Sequence, residues 1–344
     1  MAFRVGIIGF GMAARVFHAP LIRAVAGLEL AAVASSRADA VGAALPGLHV
    51  YPDAAALIAD ASLDVVVLAT PNATHAPLAT AALEAGRHVV VDKPLALSLA
   101  EARPLAALAR ERDRLLLTFQ NRRWDSDFQT VREVLAEGAV GEVVQFQSTI
   151  DRYRPEVRAR WREDGSPGSG LWLDIGPHLI DQALVLLGRP DTVLADLAVL
   201  RPGGRVEDFA QVVLQYPGRR AVLQASMLAA AAAPRMVVHG TLGSLVKARS
   251  DPQEAQLAAG MVPGDPGFGE DTDPLVLIDA AGRRSERPAR RGCQEQFYRH
   301  LAAALAGTGQ APNRLGEMLA VQAVLDASYR SARSGRAIVP EWWD

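Results

Sequence analysis

Short apolar runs alternate with helical stripes along the first third of the chain. Residues 5–8, 28–34, 64–69, 88–92 and 115–119 are rich in Val, Ile, Leu and Ala, and turn residues bound them, so they read as buried strands. Between them, residues 74–86 predict a helix stopped by Gly86. Residues 98–112 predict another, with Ser98 as N-cap and Glu101 three positions on, a capping-box spacing. Strands alternating with helices at this spacing predict a doubly wound parallel sheet of the Rossmann type.

The rhythm changes near residue 120. A helix over 126–137 ends at Gly138, and a long alternating run follows over 142–153. Further strand-like runs fall at 192–200, 209–216, 221–227, 236–240, 245–247 and 275–279, several separated by short Gly or Pro turns. These predict a second, α+β domain built on a large open, mostly antiparallel sheet. Residues 251–274, dense in Pro, Gly and Asp, read as an irregular excursion, and residues 294–307 and 315–335 return to helical periodicity. The expected domains are therefore 1–120, binding a nucleotide, and 121–344, binding substrate and mediating oligomerisation. The last helices are free to pack back on the first domain.

Bulk numbers narrow the class. At 344 residues, two cores are expected. A net charge of −2 excludes a polyelectrolyte partner, so neither nucleic acid nor a membrane surface is implied. No apolar run approaches the ~20 residues of a membrane span, and no signal-peptide core follows Met1. Cys293 is the only cysteine, which excludes an intrachain disulfide and fits a reducing cytoplasm. A nucleophilic Cys293 competes with an incidental cysteine at a helix start. No metal-ligand pattern is found.

The candidate chemistry lies at strand ends. Gly9-Phe10-Gly11-Met12-Ala13-Ala14 is a G-x-G-x-x-A loop between a strand and a helix. Gly9 permits the tight turn, Gly11 lets a pyrophosphate approach the backbone, and Ala14 allows close helix packing. The second strand ends in Ser35-Ser36-Arg37, where selectivity for NAD normally requires an acid. Small hydroxyls and an arginine suit the 2′-phosphate of NADP, and Asp39 reads as a cap for the next helix. Thr70-Pro71-Asn72 follows the next strand, with His75 either an anion neighbour or a plain first-turn residue.

Asp92-Lys93-Pro94 ends the strand at 88–92. Among 36 Lys and Arg residues, lysine occurs only at Lys93 and Lys247. Lysine can take part in proton chemistry and arginine cannot, so a lysine kept at a ligand-facing strand end is notable, although a solvated strand-end charge is the plainer alternative. In the second half, Asp174 precedes His178 by four residues after the Gly-rich run 168–170. That spacing puts both on one helical face, where the carboxylate can orient a histidine acting as base for an alcohol proton.

With these pieces together, the chain resembles the Gfo/Idh/MocA oxidoreductase family over nearly its whole length. The glycine loop, Asp92-Lys93-Pro94 and Asp174…His178 carry the resemblance. The segments 121–125, 152–157 and 160–162 look most similar to the branch containing NADP-dependent scyllo-inositol dehydrogenase. The resemblance implies that Lys93 holds and polarises the substrate hydroxyl, His178 is the acid/base, and Asp174 bonds substrate and tunes His178. It implies that Gly9, Phe10, Gly11, Met12, Ala13, Ser35, Ser36, Arg37, Thr70, Pro71, Asn72, His75, Asp92, Lys93, Pro94, Asn121, Trp161 and Arg162 contact NADP. Arg152 and Tyr298 are expected beside the substrate, against an outward strand position for Arg152 and a core position for Tyr298. Many members carry Glu where this chain has Asp92, which shortens the reach toward the nicotinamide ribose.

The expected activity is hydride exchange between NADP and a ring hydroxyl of a cyclic polyol or sugar, in a homodimer or homotetramer paired through the open sheet. Two rivals stand beside it: a non-catalytic NADP-binding regulator of the same fold, and an NAD-dependent glycosidase. A sensor has no need of the Lys93, Asp174 and His178 set, and a glycosidase needs a pocket open to a leaving sugar.

Overall fold

Buried β-branched runs build the first sheet of the computed structural model, which describes residues 2–343; Met1 and Asp344, the ends of the two expected domains, lie outside them. β1 (Phe3–Ile8), β2 (Leu28–Ala34), β3 (His49–Tyr51), β4 (Val65–Leu68), β5 (His88–Val91) and β6 (Leu116–Thr118) pair in parallel in the order β3-β2-β1-β4-β5-β6. The strand order reverses between β1 and β4, the switch point where such sheets bind ligands beyond their carboxyl ends. β4 is buried along its whole length, as a strand covered on both faces must be.

The crossover segments follow local chemistry. A π-helical segment (Ala13–His18) runs into α1 (Ala19–Arg23), then α2 (Ala38–Ala44), α3 (Ala54–Ala59), α4 (His75–Glu84) and α5 (Leu99–Glu111). Ser98 Oγ accepts the Glu101 amide, but Glu101 Oε2 accepts the Leu97 amide, so the reciprocal bond shifts by one residue. Asp39, expected as a cap, lies instead in the first turn of α2 behind Arg37. β3 escapes the hydrophobic pattern because it is a three-residue edge strand with no fully buried position.

The second sheet has eight strands in the order β14-β13-β12-β11-β7-β10-β9-β8. They are β7 (Val143–Asp151), β8 (Thr192–Ala198), β9 (Phe209–Tyr216), β10 (Arg219–Ser226), β11 (Met236–Gly240), β12 (Gly243–Lys247), β13 (Leu275–Asp279) and β14 (Arg284–Arg287). Every pairing is antiparallel except β7 with β10. One face packs on α6 (Ser126–Ala136), α7 (Leu171–Leu187) and the later turns of α10 (Leu315–Ser334). Phe128, Phe146, Trp172, Leu179, Leu223 and Val324 are among the buried side chains there. β14 has no apolar signature because all four of its residues are exposed.

The chain forms two units. One comprises the chain to Asn121 with Gln253–Phe268 and Cys293–Leu319; the other comprises Arg122–Pro252, Gly269–Gly292 and the chain from Ala320 on. The excursion at 251–274 is therefore not all irregular surface. It contains α8 (Gln253–Ala258), whose Gln253 is fully buried and whose side-chain oxygen accepts the Gln294 amide at 2.8 Å. Six residues give too little periodicity to reveal such a helix.

Candidate active site

The glycine loop is held open by steric necessity. Gly9 has φ +95°, and a Cβ there would meet the Ala69 carbonyl oxygen at 2.4 Å, so β1 and β4 can approach only with glycine. A Cβ at Gly11 would meet nothing within 4 Å, which leaves its backbone open to a close-lying anion. Ala14 is fully buried behind it, whereas Met12 is exposed. From the end of β2, Arg37 Nη2 donates to the Phe10 carbonyl at 2.5 Å, and its own amide is taken by Ser35 Oγ at 3.0 Å. The guanidinium thus lies against the glycine loop, with Ser35 and Ser36 beside it. The loop, the open backbone over Gly11 and this cation fit a dinucleotide.

At the next strand ends, Thr70 Oγ1 accepts from Thr74 Oγ1 at 2.7 Å, above the one-turn helix Asn72–Thr74. His75 is fully buried and spans two loops: Nδ1 lies 2.8 Å from the Pro94 carbonyl and Nε2 lies 3.1 Å from that of Thr70. Burial holds its pKa below the ordinary histidine value, against the pull of those carbonyls and of Asp92. His75 ties the Thr70-Pro71-Asn72 turn to the Asp92-Lys93-Pro94 turn. Asp92 is buried and its Oδ1 accepts the Lys93 amide at 2.9 Å, while Lys93 itself is half-buried.

Two residues expected beside ligands are engaged deep in the same unit. Tyr298, on α9 (Gln296–Leu305), is fully buried, with its hydroxyl 2.6 Å from Nδ1 of His18. The Phe119 ring lies 4.3 Å from the His18 ring, and Phe297 packs edge-on against Phe119. Asn121 is buried, and its amide nitrogen donates to Gln294 Oε1 at 3.0 Å. These are core positions behind the sheet's carboxyl edge. The partners lie 280 and 173 residues away, so no local signal announces them.

In the other unit, α7 starts at Leu171, three residues before Asp174, so Asp174 and His178 both lie inside it, one turn apart on one face. Arg162 Nε is 3.3 Å from one Asp174 oxygen, and Arg152 Nη1 is 3.9 Å from the other. The Arg162 guanidinium also lies over the Trp161 ring at 4.3 Å, so Trp161, Arg162, Arg152 and Asp174 form one group. The Asp174 side chain keeps 15% of its exposure, enough to meet a ligand. His178 is 6% exposed.

Polar anchors absent from the sequence reading fix the far end of this helix. Arg123 makes a two-pronged pair with Asp181 at 2.8 and 2.7 Å. Fully buried Arg235 donates to Gln182 at 2.7 Å and to Ser148 at 2.6 Å, and pairs with Asp127 at 3.1 Å. Desolvation makes such a guanidinium costly unless paired, which ties α7 to β7 and α6.

A parallel sheet with a glycine loop at its switch point defines a dinucleotide-binding fold. Comparison narrows the class. Residues 3–120 match the profile described as the oxidoreductase family with NAD-binding Rossmann fold, and residues 128–246 match the GFO/IDH/MocA C-terminal domain. The chain is 46% identical over 333 residues to the uncharacterised oxidoreductase YdgJ of Escherichia coli K12, covering 96% of each. It is 32% identical to the scyllo-inositol 2-dehydrogenase (NADP(+)) IolW of Bacillus subtilis, over 98% of this chain and 96% of that one. A solved structure of a candidate oxidoreductase from Klebsiella pneumoniae superposes with TM-score 0.94 at 47% identity, covering 100% of this chain and 96% of the other. The chain belongs to the Gfo/Idh/MocA oxidoreductase family.

Proposed function

We propose that the protein is an NADP-dependent dehydrogenase that exchanges a hydride with a ring hydroxyl or ketone of a cyclic polyol or sugar. The observation that carries this reading is the pair on α7: Asp174, braced by Arg162 at 3.3 Å and partly open, one turn before His178. When bound, the nicotinamide supplies the hydride-accepting carbon. The chain's own residues supply position and proton movement. Lys93, at the carboxyl end of β5, donates a hydrogen bond to the reacting oxygen and stabilises charge developing there. His178 takes the hydroxyl proton at a ring nitrogen in oxidation and returns it in reduction. Asp174 accepts from a second substrate hydroxyl and stands one turn before His178 on the same face of α7.

The preference for NADP rests on Arg37 against the Phe10 carbonyl and on the two serines where an acid would select NAD. Relatives named for inositols and for D-glucoside 3-dehydrogenation support the substrate class. The test is a screen of inositols and aldoses against NADP and NAD in parallel, followed at the nicotinamide absorbance. NADP is expected to be reduced by one polyol class. Arg37→Ala is expected to weaken NADP binding by about 1.5–3 kcal/mol, on the order of 10–100-fold, with little effect on NAD. Equal loss for both cofactors would defeat the assignment of Arg37. The partner proposed besides substrate is a second or further copy of this chain, paired through the sheet's outer face, where Val144 and Leu194 remain exposed. Sedimentation as a monomer would count against it.

A further inference from the structure

Glu207 precedes β9 in the chain, far from any motif, yet it meets the start of α7. Its backbone carbonyl accepts the Leu171 amide at 2.9 Å, and its Oε1 accepts the Trp172 amide at 3.2 Å. These are two of the orphan N–H groups that open a helix and need partners when buried. Gly170, the N-cap residue, has no side chain to supply them. It has φ +115°, and a Cβ there would stand 2.2 Å from Glu207 Oε1. The absent side chain is replaced by a carboxylate from the segment leading into β9. Tyr329, on α10, donates its hydroxyl to the same oxygen at 2.7 Å and holds it in place.

The neighbouring acid serves the other half of the group around Asp174. Asp208 pairs with buried Arg201 at 2.9 Å. Arg201 in turn donates to the carbonyls of Arg154 and Glu156 and pairs with Glu163 at 3.0 Å. Arg201 thereby pins the loop that carries Trp161 and Arg162. Two consecutive side chains in the segment leading into β9 thus fix both the helix bearing Asp174 and His178 and the loop whose arginine grips Asp174.

We infer that Glu207 is a positioning residue for the reaction. By capping α7 in place of a local residue, it fixes the first turns on which Asp174 and His178 stand. This rests on the dehydrogenase reading for its consequence, though the cap can be measured without turnover. Glu207→Ala deletes the acceptor, Glu207→Gln keeps an acceptor oxygen of the same reach, and Tyr329→Phe removes only the hydroxyl that steadies it.

The measurement on the full chain has two arms. The first is backbone hydrogen exchange. In Glu207→Ala, exchange over residues 171–174 should rise about tenfold or more while β9 and β10 stay protected. The second is steady-state kinetics with polyol deuterated at the reacting carbon, per folded molecule. Glu207→Ala should lower kcat by about 10²-fold, as a displacement near 1 Å does, with cofactor affinity kept and the isotope effect raised. Glu207→Gln should restore most of kcat, and Tyr329→Phe should fall between. Loosened exchange with unchanged kcat and isotope effect overturns the inference. So does a Glu207→Gln that is no better than Glu207→Ala, or unchanged exchange at 171–174. If Glu207→Ala does not fold, the isotope effect in Tyr329→Phe decides. A wild-type enzyme that oxidises no polyol defeats the dehydrogenase reading instead, and the exchange arm separates that failure from this one.

Discussion

Lys93→Met is expected to leave the fold and NADP binding in place while turnover falls by about 10²–10³-fold, the range for losing one positioned donor to charge developing on oxygen. The expectation rests on where the residue stands. β5 is buried to its last residue, and the chain emerges at Asp92-Lys93-Pro94, held from both sides: Asp92 accepts the Lys93 amide, and His75 bonds the Pro94 carbonyl. Those bonds use main-chain groups at Lys93 and Pro94, which methionine, of similar length and without charge, retains. Thermal midpoint and NADP titration should match wild type, with kcat and kcat/KM falling together because the interaction strengthens as charge develops on oxygen. Unchanged turnover with the preferred polyol would sink the role given to Lys93.

The second large effect concerns stability against pH. His18 is fully buried, and desolvation pushes its pKa down to about 4 from 6.5, with Asp92 pulling upward and His75 downward. Between those values the unfolded chain binds a proton that the folded chain refuses. The stability is fully present above about pH 6.5 and is lost as pH falls toward 4, in total about 3 kcal/mol for a single site. Below that both states are protonated and the contribution stops changing. His18→Asn keeps a polar partner for the Tyr298 hydroxyl but does not titrate. Urea midpoints of the two proteins should therefore diverge in pH slope between 7 and 5, the wild type being the steeper. Groups remote from the site titrate alike in both, so the difference reads His18 together with its coupling to Asp92 and His75, and parallel curves would refute the assignment.

What could be read from the residues alone obeys short-range physics. Gly9 is required by a positive φ and a carbonyl against its missing Cβ, Ser98 by a free amide at a helix start, and Gly86 by a left-handed stop at φ +77°. Apolar runs between such residues specify strands whatever they later pair with. That is why three strands of the second sheet, 209–216, 236–240 and 275–279, have the same bounds in pattern and structure. Asp174 and His178 were visible because four residues make one helical turn.

What the tertiary structure decided lies between segments far apart in the chain. The parallel pairing of β7 with β10, the helix start at Leu171, the Tyr298–His18 contact, the Arg235 anchor and the Glu207 cap all join positions brought together only by chain closure. A carboxylate such as Glu207 has no local signature, because its partner amides are orphaned by a glycine 37 residues earlier, at Gly170. The sequence by itself determined that Lys93 follows a buried strand and that Asp174 and His178 share one helical face. The tertiary structure decided what holds them in position, because buried polar groups must find partners wherever the fold provides them.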